Sequence, residues 1–291
     1  MFNLLISCEN VQEHYYSQSD KGILVRKRDN YGLWSDAELV ADNSKGVFWV
    51  YSDSSKSRNM IYFDRNGTLV YAQKKDGVWN PFPVSRLNEE ITPLAINLYS
   101  VSGRLNLIYS AKYGNEYILV HCILGNNAMP QIINKLSSPH FWIFDNKVYY
   151  TNPAGLPGYT HLSDEKPEGF HQINDFGNNV VIYSINENDV VLFTHENRLY
   201  INGREILYDS RMESPTLCSS AEKLYAMWKS GGYIRYITSD NYGKNWTSPM
   251  RFMTSGGEIQ LYHSQVSDNS RMYYGYNTTH ELHLFGKPDL M

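Results

Sequence analysis

The residues with the most obvious metal-binding chemistry lie near the C-terminus, in the run His280-Glu-Leu-His283. Zinc proteases bind their metal with His-Glu-x-x-His on a helix, where residues four apart share one face. In this run the histidines are three residues apart, and the flanking residues favour a strand. Side chains three apart in a strand point to opposite faces of the sheet. The spacing therefore predicts two ordinary histidines and no metal site.

Adjacent acidic residues occur at Glu89-Glu90 and at Asp164-Glu165, both in polar segments typical of loops. Glycoside hydrolysis needs two carboxylates that face each other across the substrate, which adjacency in a loop does not provide. The sequence also lacks a Gly-rich phosphate loop and a recognisable Ser/His/Asp arrangement. We therefore expect no catalytic residue and no cofactor.

The chain is organised around the stretch from Tyr233 to Phe252. β-branched and aromatic residues from Tyr233 to Thr238 predict a strand, and the residues from Thr247 onwards predict a shorter return strand. Between them lies Ser239-Asp-Asn-Tyr-Gly-Lys-Asn-Trp246. Ser and Asn side chains can bond the backbone N–H groups of a tight turn, and Gly can supply a left-handed residue.

This segment resembles the Asp-box, or BNR repeat, of sialidase-like β-propellers, whose pattern is Ser-x-Asp-x-Gly-x-Thr-Trp. Ser239, Gly243 and Trp246 match the pattern, whereas Asn241 replaces its Asp and Asn245 replaces its Thr. The resemblance implies a turn between the third and outermost strands of a blade, away from the ligand face. It also implies a structural role, so that Trp246→Ala should cost about 3–5 kcal/mol as a change at a buried aromatic. Ligand affinity should not change.

Two degenerate copies of this turn occur near the start of the chain, at Arg28-Asp-Asn-Tyr-Gly-Leu-Trp34 and Lys75-Asp-Gly-Val-Trp79. In addition, the second strand of each repeating unit ends on an aromatic residue before a polar turn. We call these residues the aromatic column: Tyr16, Phe63, Tyr109, Tyr150, Phe193, Trp228 and Tyr274. Their separations of 47, 46, 41, 43, 35 and 46 residues match the repeat length of a propeller blade.

The sequence therefore predicts an all-β fold, a single β-propeller domain of mostly four-stranded antiparallel blades. Seven blades are expected, at about 2–41, 46–88, 93–136, 139–175, 178–210, 214–254 and 258–291. Six blades are the alternative, if the fourth and fifth units merge. The seventh unit shows only three strands, and all members of the column should be buried at equivalent places in their blades.

The composition of the chain limits the classes of partner that it is expected to bind. The net charge of −4 and pI near 6.1 argue against nucleic acid, which requires clustered Lys and Arg. No apolar run approaches the length of a membrane span, and no signal peptide is recognised, so the expectation is a cytoplasmic chain unless the N-terminus was trimmed. The three cysteines are expected to be buried free thiols.

The sialidase resemblance does not extend to catalysis, because the Arg-Ile-Pro motif and the three-arginine clamp of that family are missing. The resemblance does imply a ligand face, formed by the loops between second and third strands and between blades. Predicted ligand-binding residues there are Asp64, Arg65, Lys112, Tyr113, His195, Glu196, Lys229 and Tyr276, with Asp20, Lys21 and His280 beside them.

Mixed charges and aromatic rings suit the recognition of a sugar or a peptide. The sequence thus favours a non-catalytic binding or scaffolding propeller with a carbohydrate or protein ligand, and leaves the oligomeric state open. The alternative is a sialidase-like glycoside hydrolase that uses acids lining the central channel.

Overall fold

The computed structural model describes residues 4–9, 12–29, 33–52, 58–101, 103–125, 129–144, 146–163, 167–185, 188–220, 223–252, 259–263, 272–276 and 282–284. Within these ranges the chain forms β-strands and turns, without a helix. Accordingly, no helix of the described residues is long and apolar enough to cross a membrane.

The strands group into seven consecutive sheets. The first consists of β1 (Leu4–Glu9), β2 (Gln12–Ser19), β3 (Gly22–Lys27) and β4 (Glu38–Ala41). The second consists of β5 (Ser44–Ser52), β6 (Arg58–Asp64), β7 (Thr68–Lys75) and β8 (Val78–Arg86). The third consists of β9 (Ile91–Val101), β10 (Arg104–Tyr113), β11 (Glu116–Ile123) and β12 (Gln131–Leu136).

The remaining sheets follow the same pattern. The fourth consists of β13 (Phe141–Phe144), β14 (Lys147–Thr151), β15 (Pro157–His161) and β16 (Glu168–Gln172), and the fifth of β17 (Asn178–Ile185), β18 (Asn188–His195), β19 (Arg198–Ile201) and β20 (Arg204–Tyr208). The sixth consists of β21 (Met212–Ser220), β22 (Lys223–Ser230), β23 (Tyr233–Ser239) and β24 (Met250–Phe252). The seventh has three described strands, β25 (Ile259–His263), β26 (Met272–Tyr276) and β27 (Leu282–Leu284).

In every sheet the strands are paired in chain order, each hydrogen-bonded to the one before it. Consecutive four-stranded antiparallel sheets of this kind, with short turns and no helices, are the architecture of a β-propeller. The predicted fold class is therefore confirmed. The fourth and fifth units form separate sheets, as seven blades require. Whether the chain is a single domain stays a prediction.

The aromatic column lies on the second strand of each sheet. Its six members with described side chains are at most 3% exposed: Tyr16, Phe63, Tyr109, Tyr150, Phe193 and Trp228. Tyr274 lies on β26, and its side chain is outside the described set. The rings of Phe63 and Tyr109 meet edge to face at 5.6 Å between the second and third sheets. The expected burial is thus confirmed for the described members.

Close packing divides the chain into two compact units. The first comprises Met1–Val148, Asn152–Ala154 and Tyr159–His171. Its core has one cluster between the first and second sheets, around Tyr16, and another between the second and third, around Tyr109. A hydrogen bond links the first and second sheets within the cluster around Tyr16. The buried Arg58 donates it from Nη1 to the hydroxyl of Tyr16 at 2.8 Å.

The second unit comprises Tyr149–Thr151, Gly155–Gly158 and Gln172–Met291. Its largest fully buried side chain is Trp228 of β22. In the fifth sheet, the rings of Phe193 and Tyr200 stack with centroids 5.1 Å apart. Bulky aromatic residues therefore fill the core of both units.

Candidate functional site

The predicted ligand face depends on the turns between the second and third strands of the sheets, which we call the 2–3 turns. The structure places all eight predicted residues at the last positions of a second strand or in the turn that follows. One of them, Tyr276, is the last residue of β26, and its side chain is outside the described set. His280 is also outside it. The role of the predicted residues in binding stays a prediction. They differ in the environments of their side chains.

Asp64 and Arg65 in the second sheet are engaged within the protein. The Asp64 carboxylate oxygen Oδ1 accepts hydrogen bonds from the backbone N–H groups of Asn66 at 2.9 Å and Thr68 at 2.7 Å. Arg65 Nη2 donates to the backbone carbonyl of Asp20, in the 2–3 turn of the first sheet. This contact brings the two predicted turns together, but Asp64 itself serves its own turn.

Lys112 and Tyr113 end the long second strand of the third sheet. Both are exposed, and the Tyr113 side chain is 41% exposed. A tyrosine ring at an exposed turn offers an apolar face and a hydroxyl for a ligand. Among the predicted residues with a ring whose side chain is described, Tyr113 is exposed and His195 is half-exposed.

His195 and Glu196 form the 2–3 turn of the fifth sheet with Asn197. Glu196 and Asn197 both have positive φ values, 47° and 63°, as a tight two-residue hairpin requires. The His195 ring lies 4.8 Å from the ring of Phe176, which comes from the segment before the sheet. His195 Nε2 lies 3.9 Å from Glu196 Oε1. The His195 imidazole is therefore half-exposed and packs against the ring of Phe176.

Lys229 near the end of β22 is half-buried, and its Nζ lies 3.8 Å from Glu213 Oε2. Across the described residues, no group of three or more His, Cys, Asp or Glu side chains could hold a metal ion. The three cysteines all lie on strands, and Cys122 is a buried free thiol whose pKa burial raises to about 11.

The turn from Ser239 to Trp246 joins β23 to β24, the third and outermost strands of the sixth sheet. Ser239 Oγ accepts a hydrogen bond from Gly243 N at 2.9 Å, and Asn241 Oδ1 accepts one from Asn245 N at 2.9 Å. Gly243 has φ +80°, and a Cβ there would lie 3.2 Å from Val190 of the fifth sheet. Side-chain oxygens thus bond the backbone of the turn, and the glycine allows the turn to pack closely against Val190 of the fifth sheet.

Trp246 folds back over this turn, and its Nε1 donates to the carbonyl of Gly243 at 3.0 Å. The ring is only partly buried. The expected cost of 3–5 kcal/mol assumed a buried aromatic, so that expectation is too large. The return strand is also shorter than predicted and begins at Met250, because Thr247 is used to close the turn.

One of the two degenerate copies repeats this closure. In the sixth sheet Thr238 N donates to Thr247 Oγ1, and Thr247 N donates to the Thr238 carbonyl, both at 3.0 Å. In the first sheet Lys27 N donates to Ser35 Oγ at 3.0 Å, and Ser35 N donates to the Lys27 carbonyl at 2.8 Å. Thr247 and Ser35 each directly follow the turn's tryptophan. The hydroxyl after the tryptophan is a signal that the motif comparison missed.

Hydroxyl residues directly after the aromatic column were also missed. Ser110 Oγ donates to the carbonyl of Pro139 at 2.6 Å, and Thr151 Oγ1 donates to the carbonyl of Gly177 at 3.1 Å. Both acceptors lie in the segments that lead to the next sheet. The pair of an aromatic residue and a Ser or Thr was visible in the sequence, and in the third and fourth sheets it bonds the segment that leads to the following sheet.

Asp209, between the fifth and sixth sheets, is the most strongly bonded carboxylate of the described residues. It is buried and accepts hydrogen bonds from Trp228 Nε1 at 2.8 Å, Ser230 Oγ at 3.0 Å and Arg211 N at 3.1 Å. Arg235 Nη1 lies 3.4 Å from the carboxylate. Burial by itself raises the pKa of Asp209, but these hydrogen bonds and the nearby guanidinium outweigh it, and the pKa is lowered. The residue is structural.

Comparison with known proteins identifies the fold. Neither a protein-family model nor a curated protein matches the sequence. Among solved structures, the chain is similar to the BP39L lectin from Burkholderia pseudomallei, with a TM-score of 0.69 and 11% identity over 98% of this chain and 96% of the lectin. It is also similar to the AfRom2 CNH domain, with a TM-score of 0.58 and 12% identity over 97% and 93% of the two chains.

A third similar structure is AofleA from Arthrobotrys oligospora, with a TM-score of 0.51 and 10% identity over 98% of this chain and 87% of AofleA. At such identities the likeness concerns the fold, and fold alone does not assign a function.

Proposed function

We propose that the chain is a non-catalytic β-propeller that binds carbohydrate through its 2–3 turns. The observation that carries the proposal is the similarity of nearly the whole chain to a lectin, BP39L, at a TM-score of 0.69. The turn from Ser239 to Trp246 would then be an Asp-box with a purely structural role. Its hydrogen bonds support this role, because its side-chain oxygens bond the turn's own backbone.

The state of the predicted residues supports a binding role for two of the turns. Tyr113 presents an exposed ring at the end of the second strand of the third sheet, and the adjacent Lys112 is also exposed. His195 presents a half-exposed imidazole on Phe176 in the fifth sheet. Aromatic faces stack on the C–H face of a sugar, while a few polar groups fix its orientation. Each turn is a candidate site by itself.

The alternative of a hydrolase is less well supported, because two of the acidic side chains near these turns are already engaged. The Asp64 carboxylate accepts two backbone hydrogen bonds, and the buried Asp209 carboxylate accepts three. A hydrolase needs two carboxylates about 5–10 Å apart across the substrate. The other alternative is that the same turns bind a protein ligand, and a glycan screen can distinguish this from carbohydrate binding.

A glycan array probed with the fluorescently labelled protein tests the proposal. The wild-type protein should bind one class of oligosaccharide, and Tyr113→Asn should weaken that binding about tenfold or more, since a stacked aromatic contributes about 1–2 kcal/mol. The matched control is Tyr242→Asn, which removes an equally exposed tyrosine from the turn between β23 and β24. This control should bind as wild type does.

Two results would contradict the proposal. Binding to no glycan, with capture of a defined protein ligand that Tyr113→Asn abolishes, would make the chain a protein-binding propeller. Equal losses in Tyr113→Asn and Tyr242→Asn would show that the 2–3 turn of the third sheet is not the site. His195→Ala reports on the fifth sheet in the same assay.

A further inference from the structure

The fourth sheet carries three side-chain rings in mutual contact, Tyr159 and His161 on β15 and His171 on β16. The rings of Tyr159 and His171 are nearly parallel, at 20°, with centroids 5.1 Å apart. The His161 ring stands edge-on to both, with its centroid 5.2 Å from each. All three residues belong to the first compact unit. The proposed glycan site makes no use of this cluster.

The backbone fixes the two histidines as neighbours. Ile173 N donates to the carbonyl of Pro157 at 2.9 Å and sets the register of the two strands. In antiparallel pairing Tyr159 then lies opposite His171, and His161 lies on the diagonal, within reach of a long side chain. Residue 169 is a glycine with φ +58°, and a Cβ there would lie 3.9 Å from His171 Nε2. The rings of His161 and His171 lie side by side, with centroids 5.2 Å apart.

Both imidazoles are available to a ligand. His161 and His171 are exposed, and neither makes a hydrogen bond or an ion pair with any residue that the structure describes. A neutral imidazole has one nitrogen that accepts a proton or a metal ion.

The ring separation suits a shared metal ion. Zn²⁺ binds an imidazole nitrogen at about 2.0–2.1 Å, and two rings at a tetrahedral angle on one ion have centroids about 5 Å apart. The observed separation is 5.2 Å. Because both side chains are exposed, rotation about their terminal torsions can direct one nitrogen of each ring at a common point.

We propose that His161 and His171 form a surface binding site for Zn²⁺ or another imidazole-preferring divalent ion, with water completing the coordination. Two protein ligands make this a weaker site than the three- and four-ligand sites of zinc proteins. The ammonium of Lys147 lies 5.3 Å from the centroid of the Tyr159 ring, and its charge opposes a divalent cation nearby. Removing that charge should therefore strengthen binding.

Isothermal titration of the full chain with ZnCl₂, after dialysis against a chelator, tests the site. His161→Gln and His171→Gln should each weaken binding of one Zn²⁺ per chain about tenfold or more. Lys147→Gln should strengthen the same binding. The matched control, His195→Gln, removes another accessible histidine from the fifth sheet and should leave the affinity unchanged.

Thermal unfolding without metal checks that each variant is folded. Added Zn²⁺ should raise the unfolding temperature of the wild type but not that of His161→Gln or His171→Gln. The proposal is overturned if folded His161→Gln and His171→Gln both keep the wild-type affinity, or if the wild type binds no Zn²⁺. Loss of binding in His195→Gln alone would also overturn it.

Discussion

Replacing Trp228 by alanine should reduce the free energy of unfolding by about 4–5 kcal/mol, at the upper end of large-to-small changes in protein cores. Trp228 is fully buried on the second strand of the sixth sheet. Its Nε1 also donates to Asp209 at 2.8 Å. The variant therefore creates a large cavity and removes a hydrogen bond from a buried carboxylate. Urea unfolding followed by far-ultraviolet circular dichroism measures the loss.

Trp246→Ala is the matched control, because it removes the same side chain from the same sheet. Trp246 is only partly buried over its turn, so the loss should be about 1–2 kcal/mol. Glycan affinity of this folded variant should equal that of the wild type. Similar stability losses at the two tryptophans would contradict the assignment of Trp228 to the core and of Trp246 to a surface turn.

Replacing Asp209 by alanine should cost about 3 kcal/mol at neutral pH, because two buried donors lose a charged acceptor. These donors are Trp228 Nε1 and Ser230 Oγ. Since the folded-state pKa of Asp209 is lowered, the stabilisation by its charge is fully present above the unfolded-state pKa. It is lost as the pH falls through the lower folded-state pKa.

Denaturation of wild type and Asp209→Ala in urea at a series of pH values measures this dependence. The difference in unfolding free energy should be largest near neutral pH and should shrink below about pH 4. Asp189→Ala, at an exposed carboxylate in the neighbouring β18, should change stability by less than about 0.5 kcal/mol. A difference for Asp209→Ala that stays constant down to about pH 2 would show that the carboxylate charge does not stabilise the fold.

The fold was predictable because its signal is repeated. One aromatic residue in an uncertain strand carries little information, but the same burial environment recurs in the first six sheets, from Tyr16 to Trp228. Strand ends were less predictable. Thr247 suits a strand by propensity, yet its hydroxyl accepts the N–H of Thr238 and closes the turn, so the return strand begins later.

The candidate site was only partly predictable. A strand ending on Asp64 before Arg-Asn-Gly indicates a turn, but sequence did not reveal that the carboxylate would be used by that turn. Asp209 escaped notice because its partners are 19 and 21 residues away. His161 and His171 match no metal motif, since their proximity depends on strand register rather than on spacing along the chain.

The central claim is that the protein binds glycan without chemical turnover, and one experiment tests both parts. The oligosaccharide selected by the array, and a fluorogenic sialoside, are incubated with the wild-type protein at concentrations that saturate binding, from about pH 4 to about pH 8. Product analysis by mass spectrometry should recover the bound oligosaccharide intact, with no sialoside turnover, because the three-arginine clamp and a pair of facing carboxylates are not identified. Sugar release that increases with time, and is abolished by replacing one acidic residue or tyrosine, would contradict the claim and identify a hydrolase.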